Sequence, residues 1–179
     1  MQEWNVVINL NEQARKQAYR KLEVFGPMRK TGFFNVLLMQ VDDPHAMLET
    51  MRQWIQEDPH SLFFLSRIIP ATRTFVFQSS EQFEARAKEV VLQWAPALAG
   101  KSFHVRMRRR GFKGKISSLE EEHFLDGLLI EATDKTGAPG RITFDDPDAI
   151  IAIETIGPWA GLSVWGREDL LRFPFIRLD

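Results

Sequence analysis

The stretch Lys101-Ser-Phe-His-Val-Arg106-Met-Arg-Arg-Arg110-Gly-Phe-Lys-Gly-Lys115 carries seven formal positive charges and no acid. The whole chain of 179 residues has net charge −1, so the remaining residues sum to −8. Positive charge gathered into one short segment of an otherwise acidic chain marks a phosphate-binding surface rather than a generally basic composition. The residues also alternate. Phe103, Val105 and Met107 fall on one side of a strand, and His104, Arg106, Arg108 and Arg110 on the other. Such a strand buries its apolar side and holds a row of cations toward solvent. Gly111 and Gly114 then break it into a flexible basic loop. A solvated strand face neutralised by Glu120, Glu121 and Glu122 accounts for the same charges, and the near-neutral total argues against an indiscriminate polyanion binder.

Working outward, Thr74–Phe77 reads as a short strand, and Ser79 or Ser80 caps a helix through Trp94, with Phe83, Ala87, Val90, Val91 and Trp94 on one side. After the basic loop, Ser117 or Ser118 starts a helix near Leu119 that runs toward Ala132, and Ser118-Leu-Glu-Glu121 fits a capping box. Arg141–Phe144, Ala149–Ile156 and Gly161–Trp165 read as strands. The second of these is apolar on both faces and is expected at the sheet centre. Before Pro70 the order differs. Trp4–Leu10 alternates as a strand, and Asn11 is placed to cap a helix from about Glu12 to Val24. Met28–Lys30 and Phe33–Val41 suggest a hairpin. Asp43-Pro44 opens a helix with the stripe Met47, Leu48, Met51, Trp54 and Ile55, and Leu62–Ile69 is a final strand. Strand, helix, strand, strand, helix, strand is the split βαβ order of a ferredoxin-like domain. The expected division is therefore 1–70 and 71–179, both α+β.

Composition excludes several chemistries. With no cysteine there is no disulfide, thiolate nucleophile or Cys-ligated zinc, which fits a reducing cytosol. The N-terminal MQEWNVVINL has no signal-peptide pattern, and no apolar run approaches membrane-span length, so a cytoplasmic protein without a membrane partner is expected. Gly111-Phe-Lys-Gly-Lys115-Ile-Ser117 fails as a phosphate loop, because Arg109 stands where a glycine is needed and Ile116 where Ser or Thr must follow the lysine. The four histidines lack ligand spacing to one another. Glu120-Glu-Glu-His123 reads as a charged helix start and Asp145-Asp-Pro-Asp148 as a turn, in preference to metal sites. No catalytic residue, metal ligand or cofactor site is assigned.

The motif order resembles the THUMP domain of RNA-modification proteins. Phe103-His-Val-Arg106 with its basic continuation, the acidic helix from Ser118, the strand and turn at Ile142-Thr-Phe-Asp-Asp-Pro-Asp148, Ile151-Ala-Ile-Glu154 and Ala160-Gly-Leu-Ser-Val164 follow one another as in that family. Arg67-Ile-Ile-Pro70-Ala-Thr-Arg-Thr74 resembles the segment leading into it. The resemblance implies a ferredoxin-like N-terminal domain packed on a THUMP α/β domain with a mixed sheet. It also implies binding of tRNA at the acceptor stem and 3′ end. The sequence closes soon after the last expected strand, so no catalytic domain is expected. The resemblance is therefore closest to stand-alone THUMP adaptors of tRNA cytidine acetylation, and implies a separate RNA-modifying enzyme as partner, with no DNA partner expected. The expected RNA-binding residues are Arg106, Arg108, Arg109, Arg110, Lys113 and Lys115, with Phe112 to stack on an unpaired base or to join the core. Arg67 and Arg73 are expected to extend the surface. A small enzyme acting on phosphorylated substrates and a protein-interaction module with an Arg-rich face are the alternatives.

Overall fold

The structure is a computed structural model and describes residues 3–178. The chain forms two compact units, one comprising the residues up to Ala71 together with Glu168–Arg177, the other built from Thr72–Arg167.

In the first unit, β1 (Val6–Leu10), α1 (Arg15–Leu22), β2 (Met28–Lys30), β3 (Val36–Met39), α2 (Pro44–Glu57) and β4 (Leu65–Pro70) follow the predicted order. The strands make an antiparallel sheet, β2-β3-β1-β4, which is the ferredoxin-like topology. Val6 and Ile8 of β1, Ala18 and Leu22 of α1, and Met47, Leu48 and Met51 of α2 are almost completely buried. As predicted, Asp43 caps α2, its carboxylate accepting from the Ala46 amide at 3.0 Å, with Pro44 in the first turn. The start of α1 differs. Asn11 does not cap it; its side-chain amide donates to the Phe63 carbonyl at 2.7 Å, and the helix begins at Arg15 with Ala14 at the cap position and no side-chain cap bond. Glu168–Arg177, expected in the second domain, belongs to the first unit through long-range bonds. The Ile68 amide donates to Phe175 O at 3.2 Å, Arg177 donates to Ser66 O at 3.0 Å, and Arg172 holds the Glu49 carboxylate with two bonds of 2.6 and 3.0 Å.

In the second unit, β5 (Arg73–Val76), α3 (Ser80–Leu92), α4 (Ala95–Leu98), β6 (Ser102–Arg108), α5 (Ser118–Lys135), β7 (Arg141–Ile142), β8 (Ala149–Ile156) and β9 (Trp159–Gly166) build a mixed sheet of order β5-β9-β8-β6-β7. β6 runs parallel to β7 and β8, while β9 is antiparallel to β8 and β5. β8 holds the predicted central place. One sheet face, with Phe103, Val105, Met107, Ile151, Ile153 and Leu162, packs on Phe83, Ala87 and Val91 of α3 and on Leu125 and Leu129 of α5. Each such large side chain stabilises the unit by roughly 1.5–3 kcal/mol. Ser79 caps α3, accepting from the Gln82 amide at 3.2 Å. Of the two predicted starts of α5, Ser117 is the cap: its hydroxyl accepts from the Glu120 amide at 3.3 Å, and Glu121 turns inward.

Asp145–Asp148 is a turn, as predicted. Ser102 and Asp148 bond reciprocally across its base, amide to carboxylate and amide to hydroxyl, each at 2.9 Å. Arg167 clamps it through Asp146 Oδ1 at 2.8 Å and Asp148 Oδ1 at 3.1 Å. Gly140, just before β7, is required by packing, since a Cβ there would lie 2.4 Å from the Phe103 ring. Among the described residues no helix is long and apolar enough to cross a membrane.

Candidate nucleic-acid interface

β6 is the axis of the site. Phe103, Val105 and Met107 enter the core as predicted, and the opposite face carries Arg106 and Arg108, both exposed. Register adds Arg141 to this face. It pairs with Ser102 on the neighbouring β7, and it too is exposed.

Beyond Phe103, β7 no longer covers the outer edge of β6, and α5 does so with carboxylates. The Val105 amide donates to Asp126 Oδ1 at 2.9 Å, and the Met107 amide to Glu122. Burial pushes the Asp126 carboxyl up to about 6 and raises Glu122 as well, against the pull of Arg106 on the latter. These bonds satisfy edge amides that would otherwise invite strand pairing. They also place one carboxylate near Arg106, so the positive row is partly offset at that point.

Two members of the expected row turn away from solvent. His104 is buried at 8% exposure, with Nδ1 donating to Thr143 O at 2.9 Å and its ring tilted against Phe144 at 5.1 Å. Burial lowers its pKa, so it is a neutral imidazole and not a surface cation. Arg110 lies past the strand end, where alternation no longer holds. Its side chain is 9% exposed and ion-pairs with Glu154, itself 4% exposed, at 2.6 Å. Burial and the charge of Arg108 hold the Arg110 guanidinium down at about 10, still charged at neutral pH. Arg110 anchors the loop to β8. Its amide donates to the Thr155 hydroxyl, and its carbonyl accepts from the Gly157 amide.

The loop after β6 is an ordered turn rather than a flexible one. Gly111, Phe112 and Gly114 all have positive φ, and the Phe112 carbonyl accepts from the Lys115 and Ile116 amides at 2.9 and 3.1 Å. Phe112 packs on Phe77 with ring centroids 5.0 Å apart, and Ile116 is buried. The core role therefore displaces the stacking role for Phe112. Pinned at those two residues, the turn leaves Lys113 and Lys115 exposed, while Arg109 is half-buried and donates to Gly111 O.

Of the outlying arginines, Arg73 stands apart from this row within the second unit and Arg67 is buried in the first. Arg73 is exposed on β5, at the opposite edge of the sheet, three strand spacings or roughly 14 Å from β6. Arg67 is 4% exposed within the first unit, where Nη1 donates to Arg177 O at 2.8 Å. An open aromatic on this side is Phe144, 70% exposed on the turn after β7 and seated on His104, which lies two residues before Arg106 on the same strand. Sequence reading missed it and Arg141 because the β6–β7 pairing spans a helix, and no local period shows that pairing. Among the described residues, no group of three or more His, Asp or Glu has metal-holding geometry.

The sequence matches no protein-family model, and no curated protein matches it. Solved structures do. PH1313 from Pyrococcus horikoshii Ot3 superposes with a TM-score of 0.57 at 14% identity, over 92% of this chain and 55% of that one. TrmN from Thermus thermophilus gives 0.54 at 16% identity, over 90% and 44%. A 4-thiouridine synthetase, solved as an RNA complex with bound ATP, gives 0.57 at 12% identity, over 92% and 42%. The likeness is one of fold. It is the α+β architecture that the motif order predicted, a ferredoxin-like domain and a THUMP-like α/β domain with a mixed sheet. The chain spans between 42% and 55% of the length of these three proteins.

Proposed function

We propose that this protein is a tRNA-binding adaptor that presents the acceptor stem and 3′ end of tRNA to a separate RNA-modifying enzyme, a cytidine acetyltransferase being the candidate that the sequence resemblance favours. The observation that carries the reading is the exposed row Arg106, Arg108 and Arg141, continued by Lys113 and Lys115 on a pinned turn. Guanidinium groups on a rigid strand meet phosphate oxygens with charge-assisted bonds at little ordering cost. Phe144, seated on His104 of β6, supplies a face on which an unpaired base can stack. The fold shared with a synthetase solved in complex with RNA supports the same reading. The neighbours' names include enzymes, but the superposition takes in about half of each chain or less, so their activities do not travel with the fold.

Reversing Arg106 and Arg108 to Glu tests this directly. Both side chains are exposed, so the fold should survive, as near-native thermal melting would show. A gel shift should show loss of tRNA binding, and wild-type affinity in the double variant would overturn the reading. The adaptor role adds a second expectation. Offered tRNA with S-adenosylmethionine, acetyl-coenzyme A or ATP, the protein alone should give no modified nucleoside and no saturable heat of cofactor binding.

A further inference from the structure

The first unit carries a second basic surface. Helix α1, Arg15-Lys-Gln-Ala-Tyr-Arg-Lys-Leu22, has four cations and no acid. Arg15, Lys16 and Arg20 are exposed, and Lys21 lies with its Nζ 4.2 Å over the Trp54 ring. Arg15 and Lys16 sit in the first turn, where the helix dipole disfavours cations by roughly 0.3–1 kcal/mol each, so helix stability does not explain them. Two clefts run along this helix and meet at Gln17. One, of about 490 Å³, is lined by Arg15, Lys16, Asn35 and Phe34. The other, of about 470 Å³, is lined by Arg20, Lys21, His60 and Phe63. Both are shallow and open to solvent.

Each cleft has an open aromatic at its wall. Phe34 is 78% exposed and Phe63 is 60% exposed. Neither projects from a slack loop. Thr31 Oγ1 accepts from the Phe33 amide and donates to Val36 O beneath Phe34, and Phe63 rests edge-on against the buried Phe64 with its carbonyl held by Asn11. A lone exposed phenylalanine needs no explanation. Two of them, flanking one cationic helix and each sharing a cleft with two cations, form the stacking-platform-and-phosphate arrangement by which proteins hold unpaired nucleic acid. The acids at the clefts, Glu12 and Asp58, number two against four cations, and Asp58 already accepts from the His60 amide at 3.0 Å.

We infer that α1 is a second RNA-binding site, taking an unpaired stretch with bases stacked on Phe34 and Phe63 and phosphates on Arg15, Lys16 and Arg20. It goes beyond the strand-borne site of the second unit and shares with it only the assignment to RNA.

The test uses the full chain and a fluorescent oligouridylate of about 12 nucleotides, read by anisotropy. Wild type should bind it. Phe34→Ala and Phe63→Ala should each weaken binding about 10–100-fold. Arg15→Glu with Lys16→Glu should weaken binding at least as much while the melting temperature holds or rises, since acids suit the first turn. The losses caused by the α1 variants should also appear in a chain that already carries the Arg106 and Arg108 reversal, where the strand-borne row contributes nothing to the oligomer. An oligomer bound equally by wild type and the α1 variants overturns the inference, as does intact tRNA bound by wild type with no binding of the oligomer. Neither result touches the strand-borne reading. Oligomer bound through α1 while tRNA binding ignores the Arg106 and Arg108 reversal keeps this inference and overturns the other. Binding of anionic lipid vesicles but of neither RNA overturns both.

Discussion

Two phenylalanines near one strand have opposite jobs. Phe112 stands between glycines in the most basic part of the chain, where composition suggests a base-stacking residue, yet it packs on Phe77 at 5.0 Å. Phe144 stands next to an acidic turn, where composition suggests nothing, yet it is 70% exposed and seated on His104 of the arginine-bearing strand. Their alanine variants should separate cleanly. Phe112→Ala removes a packed ring and should lower stability by about 2–4 kcal/mol, seen as a fall in the denaturation midpoint. Phe144→Ala should leave the midpoint within about 0.5 kcal/mol of wild type. It should weaken tRNA binding by about 1–3 kcal/mol. Unchanged tRNA affinity in Phe144→Ala would remove stacking from the strand-borne site. An unchanged midpoint in Phe112→Ala would contradict the packing described.

At the scale of elements, α3 and α5 meet through a pair of carboxyl groups. Glu121 is buried at 3% exposure, and its carboxyl lies close to that of Glu84 of α3. Two carboxylates this close repel, which favours a proton on one of them. Burial first, then Glu84, Glu120 and Glu81, push the Glu121 carboxyl up to about 7. The folded chain thus keeps a proton that the unfolded chain loses near the ordinary carboxyl value of 4.5. Stability contributed here is full below that value and is lost as pH rises toward about 7. Glu121→Gln replaces the retained proton with a permanent donor. The variant should match wild type near pH 5 and exceed it near pH 8 by on the order of 1–3 kcal/mol, read from paired denaturation curves. Taking the difference between the two proteins cancels the titrations of His104 and Asp126. Curves that stay parallel across this range would refute the retained proton.

What could be read in advance follows the same division between local and distant causes. The alternation that buries Phe103, Val105 and Met107 and exposes Arg106 and Arg108 is a property of five neighbouring residues, and it was legible. So were the Asp43 cap and the central place of β8. Alternation stops being informative where the strand stops, which is why Arg110 was expected outside and lies paired with Glu154, a residue of another strand. Asn11 as a cap and His104 on the solvent face were each overturned by a partner distant in sequence: the Phe63 carbonyl and the Thr143 carbonyl. The basic face of α1 was visible as letters. Its clefts and its two open phenylalanines come from loops that only the folded sheet brings beside it.

For the molecule as a whole, the charge pattern sets a measurable limit on RNA binding. A chain of net charge −1 repels nucleic acid weakly at long range and must bind through local rows. The strand-borne site offers Arg106, Arg108, Arg141, Lys113 and Lys115 as exposed cations, with Glu122 near one of them. If about four phosphates are neutralised there, log affinity for tRNA should fall against log salt with a slope of roughly −3 to −4. Reversing Arg106 and Arg108 should flatten that slope by about 2 if binding persists at low salt. A slope steeper than about −7 would mean that the interface is much larger than this row. Phosphate contacts alone treat all helices alike, so selectivity must come from unpaired bases. Intact tRNA should therefore bind more tightly than tRNA trimmed of its 3′ terminal nucleotides, and both more tightly than duplex DNA. The advantage of the intact molecule should shrink in Phe144→Ala. Equal affinity for intact and trimmed tRNA would leave the row as a binder of RNA backbone and remove the 3′ end from the proposed role.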